Sequence, residues 1–83
     1  MPGVQEVTQL MSYRESLARP GAALIHQNRA RGFVIKRNEP VFKVEMTLRR
    51  CLLALKPEYR VYAWRLSQSQ SSFPFHQLVR SAF

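Results

Sequence analysis

Apolar and polar residues follow different periods in different parts of this 83-residue chain. From Val4 to Ala18 the apolar residues recur every three or four positions, which predicts an amphipathic helix. Arg19-Pro20-Gly21 ends this helix, because proline lacks the amide hydrogen that would continue it and disfavours helix in the residue before it. The pattern predicts a helix that packs one face onto a partner.

Beyond residue 21 the pattern changes and predicts short strands. Ala22 to His26 and Phe33 to Ile35 are apolar segments around a polar, glycine-containing turn, an arrangement typical of a hairpin. The clearest strand runs from Phe42 to Leu48, where apolar residues alternate with polar ones. Tyr59 to Leu66 is predicted to form a further strand.

The stretch before Pro57 allows two structures. One or two turns of helix would place four apolar residues on one face: Leu48, Cys51, Leu52 and Leu55. A continued strand with a bulge accommodates the same residues. The pattern alone does not separate these alternatives.

The sequence after residue 66 changes composition. Ser67 to Ser72 is a low-complexity segment of serine and glutamine that cannot build a core, and an aromatic tail follows it. The sequence therefore predicts a small α+β fold that is mainly β: a three- to four-stranded antiparallel sheet with an N-terminal helix and an extended C-terminal tail. The predicted segments are an N-terminal helical extension at 1–21, a small β domain at 22–66, and a Ser/Gln linker with an anchoring tail at 67–83.

Composition suggests that a partner stabilises this chain. A chain of this length has room for one small core, and its single cysteine excludes an internal disulfide. The net charge is +8, and ten of the thirteen basic residues are arginine, whose planar fork suits phosphate. RNA is therefore the expected partner. The longest apolar run, Cys51 to Leu55, is too short to span a membrane.

Catalytic and metal chemistry find little support in the sequence. The chain has two histidines, His26 and His76, and no aspartate. No spacing among its residues is typical of a nucleophile, a base and an orienting group. We therefore expect no enzymatic activity, no metal site, no cofactor and no small-molecule substrate.

Basic residues concentrate in the predicted sheet, since residues 25–65 contain ten cations and three acids. Arginines in exposed turns can reach phosphates without being buried. Tyr59, Tyr62 and Trp64 are interleaved with arginines, as on surfaces where bases stack, although the same aromatics would also suit the core of a small sheet. The predicted RNA-binding residues are Arg29, Arg31, Lys36, Arg37, Lys43, Arg49, Arg50, Arg60 and Arg65.

Three sequence blocks resemble the family of large-subunit ribosomal protein thirty-three of bacteria and mitochondria. They are Leu24-Ile25 with Arg31 to Asn38, Met46 to Cys51, and Arg60 to Arg65, in the family's order. The Asp-Pro turn of the family is missing, and so are the cysteine pairs with which some members bind zinc. The resemblance implies a small antiparallel sheet on ribosomal RNA of the large subunit. The N-terminal helix and the Ser/Gln tail are extra to the family, as is common in organellar ribosomal proteins. We therefore expect a mitochondrial matrix location, with both extensions contacting neighbouring ribosomal proteins.

Two alternatives remain open at this point. Val34 to Pro40, together with Leu48-Arg49-Arg50, also resembles the family of small-subunit ribosomal protein twenty-one. An accessory subunit of a mitochondrial respiratory complex is a rival from another class, since it too would be small, basic and dependent on partners. Our expectation is a structural constituent of the large ribosomal subunit.

Overall fold

The computed structural model describes residues 2–18, 28–30, 33–35, 39–69 and 73–83. The described residues form four helices and one pair of short strands. In chain order the elements are α1 (Pro2–Ser16), β1 (Asn28–Ala30), β2 (Phe33–Ile35), α2 (Val41–Leu53), α3 (Pro57–Ser69) and α4 (Phe73–Ala82). The mainly β fold class predicted from the sequence is therefore wrong.

The N-terminal helix confirms the prediction from its period, with slightly different bounds. Pro2 stands in the first turn of α1, where a missing amide hydrogen costs nothing. Val7 and Leu10, three positions apart, are buried in the core of the protein. The face predicted to contact a partner thus packs against the other helices of the same chain.

Helix α2 replaces the strand predicted from Phe42 to Leu48. Residues four apart lie on the same side of a helix, so the apparent alternation consists of two interleaved helical pairs. Val44 and Leu48 are buried, at 2% and 0% exposure, whereas Phe42 and Met46 are 61% and 45% exposed. Because this helix has apolar residues on two faces, its sequence shows the two-residue alternation that is typical of a strand.

Between residues 48 and 55, the helical alternative is the one that the structure shows. Leu48, Cys51, Leu52 and Leu55 are all buried, as one helical face requires. Helix α2 ends at Leu53, and Leu55 continues the buried face into the short connection that precedes Pro57.

The strand predicted at Tyr59 to Leu66 is also wrong, because these residues lie in α3. Tyr59, Tyr62 and Leu66 pack against the core at helical spacing. The predicted Ser/Gln linker begins inside this helix: the Ser67 hydroxyl donates to the Trp64 carbonyl at 2.7 Å, so this serine is buried with its hydroxyl bonded. The remainder of that linker, 70–72, lies outside the described residues.

The predicted extended tail is helix α4, which adds an aromatic and two aliphatic side chains to the core. Phe75, Leu78 and Val79 follow i, i+3, i+4 spacing and are buried. One core thus receives residues from each of the three predicted segments, 1–21, 22–66 and 67–83. Its buried apolar members are Val7, Leu10, Val44, Leu48, Cys51, Leu52, Leu55, Ala63, Phe75, Leu78 and Val79.

The strands β1 and β2 pair antiparallel, with Arg29 opposite Val34. β1 lies near α1 and β2 lies near α2, so the hairpin adjoins the helices. The strand predicted at Phe33 to Ile35 is confirmed. β1 instead occupies residues that were predicted to be a turn, and the strand predicted at Ala22 to His26 lies outside the described residues. The three- to four-stranded sheet is not found in the described part of the chain.

Candidate nucleic-acid interface

The nine residues predicted to bind RNA occupy different elements. Lys43, Arg49 and Arg50 lie on α2, whereas Arg60 and Arg65 lie on α3. Arg29 is the central residue of β1. Three of the nine lie outside the described residues: Arg31, Lys36 and Arg37. The assignment of all nine to RNA stays a prediction.

Positive charge is concentrated between the first two helices. The segment from residue 19 to residue 38 contains five cations and no acid, and therefore accounts for five of the eight net positive charges. The rest of the chain has eight cations and five acids. We call residues 19–38 the basic segment. Its basic residues are Arg19, Arg29, Arg31, Lys36 and Arg37.

Arg60 is engaged within the fold. Its Nε donates to the carbonyl oxygen of Leu55 at 3.1 Å, and Nη2 donates to the carbonyl oxygen of Leu53. Carbonyls at the end of a helix lack intrahelical donors, and a cation there is stabilised by the helix dipole. Arg60 therefore caps the C-terminal end of α2, a structural role that its sequence pattern does not reveal.

Two arginines link helices through polar side chains. Arg14 forms an ion pair with Glu45, with 2.9 Å between Nη2 and Oε2, and so joins α1 to α2. Arg49 Nε donates to Ser81 Oγ at 3.2 Å and joins α2 to α4. The first pair is neutral overall, whereas the second retains the positive charge of Arg49.

The remaining predicted cations of the helices are exposed. Lys43, Arg50 and Arg65 lie on the solvent side of their helices, and none of them forms an ion pair with a described residue. Of the three aromatics interleaved with arginines in α3, Tyr59 and Tyr62 pack partly against the core, whereas Trp64 is exposed. Trp64, beside Arg65, is therefore the side chain of the three that a base could stack on.

Sequence reasoning missed the basic residue of the last helix. Arg80 is exposed on α4 and, with Arg49, borders an open depression between α2 and α4. The spacing of Phe75, Leu78 and Val79 would have predicted a helix with Arg80 on its outer side. The prediction of an extended tail left this helical spacing out of account.

Of the cysteine and the two histidines, Cys51 and His76 are held within the fold, whereas His26 lies outside the described residues. Cys51 is buried in the core, and His76 Nδ1 lies 3.3 Å from the carbonyl oxygen of Ser67. Burial, followed by the nearby Glu39 carboxylate, raises the pKa of Tyr13. Within the described ranges, no group of three or more His, Cys, Asp or Glu residues is placed to hold a metal ion.

None of the four helices in the described part of the chain combines the length and apolar content needed to cross a bilayer. Comparisons of the chain with protein-family models, with curated proteins and with solved structures found no match.

Proposed function

We propose that this chain is a non-catalytic constituent of a ribosome and binds ribosomal RNA chiefly through its basic segment. The observation behind the proposal is the five cations without an acid between residues 19 and 38. Cations at this density attract a polyanion strongly, because each phosphate that they neutralise releases a condensed counterion. Four of the five are arginines, which can bind phosphate through two parallel hydrogen bonds.

The position of the paired strands supports the same proposal. β1 and β2 lie near α1 and α2, so the hairpin has a helical support beside it. The exposed cations of α2 and α3 add long-range attraction for the same polyanion. Arg14, which Glu45 neutralises, is not part of the proposed interface. Of the nine predicted residues we leave out Arg60 alone, because its bonds hold the C-terminal end of α2.

The finer assignment rests on the sequence blocks that resemble large-subunit ribosomal protein thirty-three. We propose the large subunit of a mitochondrial ribosome on that basis, with the small subunit as the alternative. The sheet that this family implies is not found among the described residues, so the order of the blocks is the support that remains.

Exposed apolar side chains favour a second candidate, an accessory subunit of a respiratory complex. Phe42, Met46 and Leu53 lie on the outer side of α2, and Phe73 is exposed on α4. Contiguous exposed apolar surface commonly marks a protein contact. A ribosomal constituent would also use such residues against neighbouring proteins, so they do not outweigh the charge of the basic segment.

Salt-dependent RNA binding tests the proposal directly. The wild-type chain should bind a ribosomal RNA fragment with an affinity that falls steeply with salt, by a log–log slope of about −0.7 to −0.9 per phosphate contact. Replacing Arg29, Arg31, Lys36 and Arg37 by glutamine should weaken binding and reduce the slope by up to about 3–4.

A matched control removes the same charge from α2, α3 and the connection between them: Lys43, Arg50, Lys56 and Arg65 replaced by glutamine. This variant should bind RNA better than the variant with glutamine at Arg29, Arg31, Lys36 and Arg37 does. Equal losses in the two variants would contradict a local role for the basic segment. An affinity for a respiratory-complex partner that barely responds to salt, in a chain that does not bind RNA, would establish the second candidate instead.

A further inference from the structure

A groove between α2 and α4 combines two cations with a neutral hydrogen-bond donor, the side-chain amide of Gln77. Its volume is about 440 Å³, and it opens to solvent. We call it the α2–α4 groove. Its lining residues are Glu45, Arg49, Gln77, Leu78, Arg80 and Ser81.

The charge balance of the groove is positive despite its one acid. Glu45 is neutralised by Arg14, whose Nη2 lies 2.9 Å from Oε2 and whose Nε donates to the same oxygen at 3.0 Å. Arg49 and Arg80 have no such counterpart among the described residues. The groove therefore has an excess of positive charge, and its two guanidinium groups favour an anion such as a backbone phosphate, which carries one negative charge.

Arg49 is also held in position before any ligand binds. Its Nε donates to Ser81 Oγ, and the Ser81 hydroxyl donates to the carbonyl oxygen of Leu78 at 2.8 Å. Ser81 thus uses its donor on its own helix and its acceptor on Arg49. The terminal nitrogens of Arg49 have no hydrogen-bond partner among the described residues and remain able to bind oxygen atoms. An arginine fixed in this way loses less entropy on binding.

We infer that the α2–α4 groove binds a phosphate group of the RNA backbone between Arg49 and Arg80, with Gln77 as a further donor. This inference rests on the proposed RNA-binding function. It adds a contact on the helical body, separate in sequence from the basic segment. It also assigns a role to Arg80 and a positioning role to Ser81.

The test compares two double variants with equal loss of charge. Arg49→Gln with Arg80→Gln removes the groove cations, and Arg50→Gln with Arg65→Gln removes two exposed cations outside the groove. Affinity for a short ribosomal RNA fragment should fall about tenfold or more in the groove variant, the size typical of losing a charge-assisted hydrogen bond. The control variant should also lose affinity, because Arg50 and Arg65 attract RNA at long range, but clearly less than the groove variant. Circular dichroism should show unchanged helix content in both.

Two further single variants separate position from charge. Ser81→Ala retains both arginines, so the salt slope should stay the same while affinity falls. Glu45→Gln removes the carboxylate that neutralises Arg14, which then adds a third positive charge beside the groove. RNA binding should therefore tighten, and affinity should fall more steeply with salt. Unchanged affinity in Ser81→Ala would overturn the positioning role.

The source of the phosphate is decided by comparing RNA with inorganic phosphate on the wild-type chain. Nuclear magnetic resonance of the Arg49 Nε–H should show a saturable shift with RNA at far lower concentration than with inorganic phosphate. Equal loss of affinity in the groove and control variants would overturn the groove while leaving RNA binding intact. Absence of any RNA binding by the wild-type chain, with a shift caused by inorganic phosphate alone, would overturn the proposed function as well.

Discussion

At the residue scale, Gly3 and Tyr59 define how closely α1 approaches α3. A methyl group on Gly3 would overlap the ring of Tyr59, which is half-buried and packed against the core. In an uncrowded helix, alanine would be more stabilising than glycine by about 1 kcal/mol. Here we expect Gly3→Ala to lower the free energy of unfolding by roughly 1–3 kcal/mol, because the ring must leave its packed position.

Urea unfolding of a double-mutant cycle checks this contact. In a Tyr59→Ala background the obstacle is gone, so adding Gly3→Ala should cost little or should stabilise the protein. An equal cost with and without the Tyr59 ring would show that the two residues do not meet.

Tyr13 predicts a specific alkaline sensitivity. Burial, and then the Glu39 carboxylate, raise its pKa above the ordinary value of 10.0. The folded state therefore retains the phenol proton at pH values where the unfolded chain has lost it. This contribution to stability is complete below the unfolded pKa and is lost as pH rises through the folded pKa.

The thermal midpoint measured against pH tests the role of Tyr13. The wild-type midpoint should fall above about pH 10, the ordinary pKa of tyrosine, and Tyr13→Phe should fall less steeply because it has no proton to lose. Identical alkaline slopes for the two proteins would refute the assignment.

At the element scale, α2 shows why the strand prediction failed. A strand would place Met46 and Leu48 on the same face, whereas the helix buries Leu48 and exposes Met46. Leu48→Ala should lower the free energy of unfolding by about 2–5 kcal/mol. Met46→Ala should change it by less than about 0.5 kcal/mol. Comparable losses at both positions, measured by chemical denaturation, would favour the strand.

The same element shows how much of the fold local pattern could predict. Leu48, Cys51, Leu52 and Leu55 have a helical period, and the structure buries all four. Phe42 and Met46 form a second apolar face of the helix. Together with Val44 and Leu48 they alternate with polar residues, as the apolar residues of a strand would. Only packing against α1 and α4 distinguishes the two faces, and that packing is not visible in a local stretch of sequence.

The C-terminal end of α2 makes Arg60 a structural residue. Removing its bonds to the Leu53 and Leu55 carbonyls should lower stability by roughly 0.5–1 kcal/mol in Arg60→Gln, as for other cations at helix ends. RNA affinity should change no more than in the neighbouring variant Arg65→Gln. Thermal unfolding and RNA titration of both variants check this. A loss of RNA affinity without a loss of stability in Arg60→Gln would restore Arg60 to the interface.

At the scale of the whole molecule, composition was more informative about charge than about architecture. The concentration of cations between residues 19 and 38 is visible in the sequence, and so is the arginine bias that favours phosphate. The sequence does not reveal the ion pair of Arg14 with Glu45 or the hydrogen bonds of Arg60, because these contacts depend on how the helices pack. The α2–α4 groove was missed for the same reason.

Sedimentation of the tagged chain through a sucrose gradient tests the proposed function most directly. The chain should co-migrate with the large ribosomal subunit, and nuclease or high salt should release it. The variant with glutamine at Arg29, Arg31, Lys36 and Arg37 should remain near the top of the gradient. Migration with the small subunit would contradict the large-subunit assignment, and migration with a nuclease-resistant, salt-insensitive complex would contradict RNA binding itself.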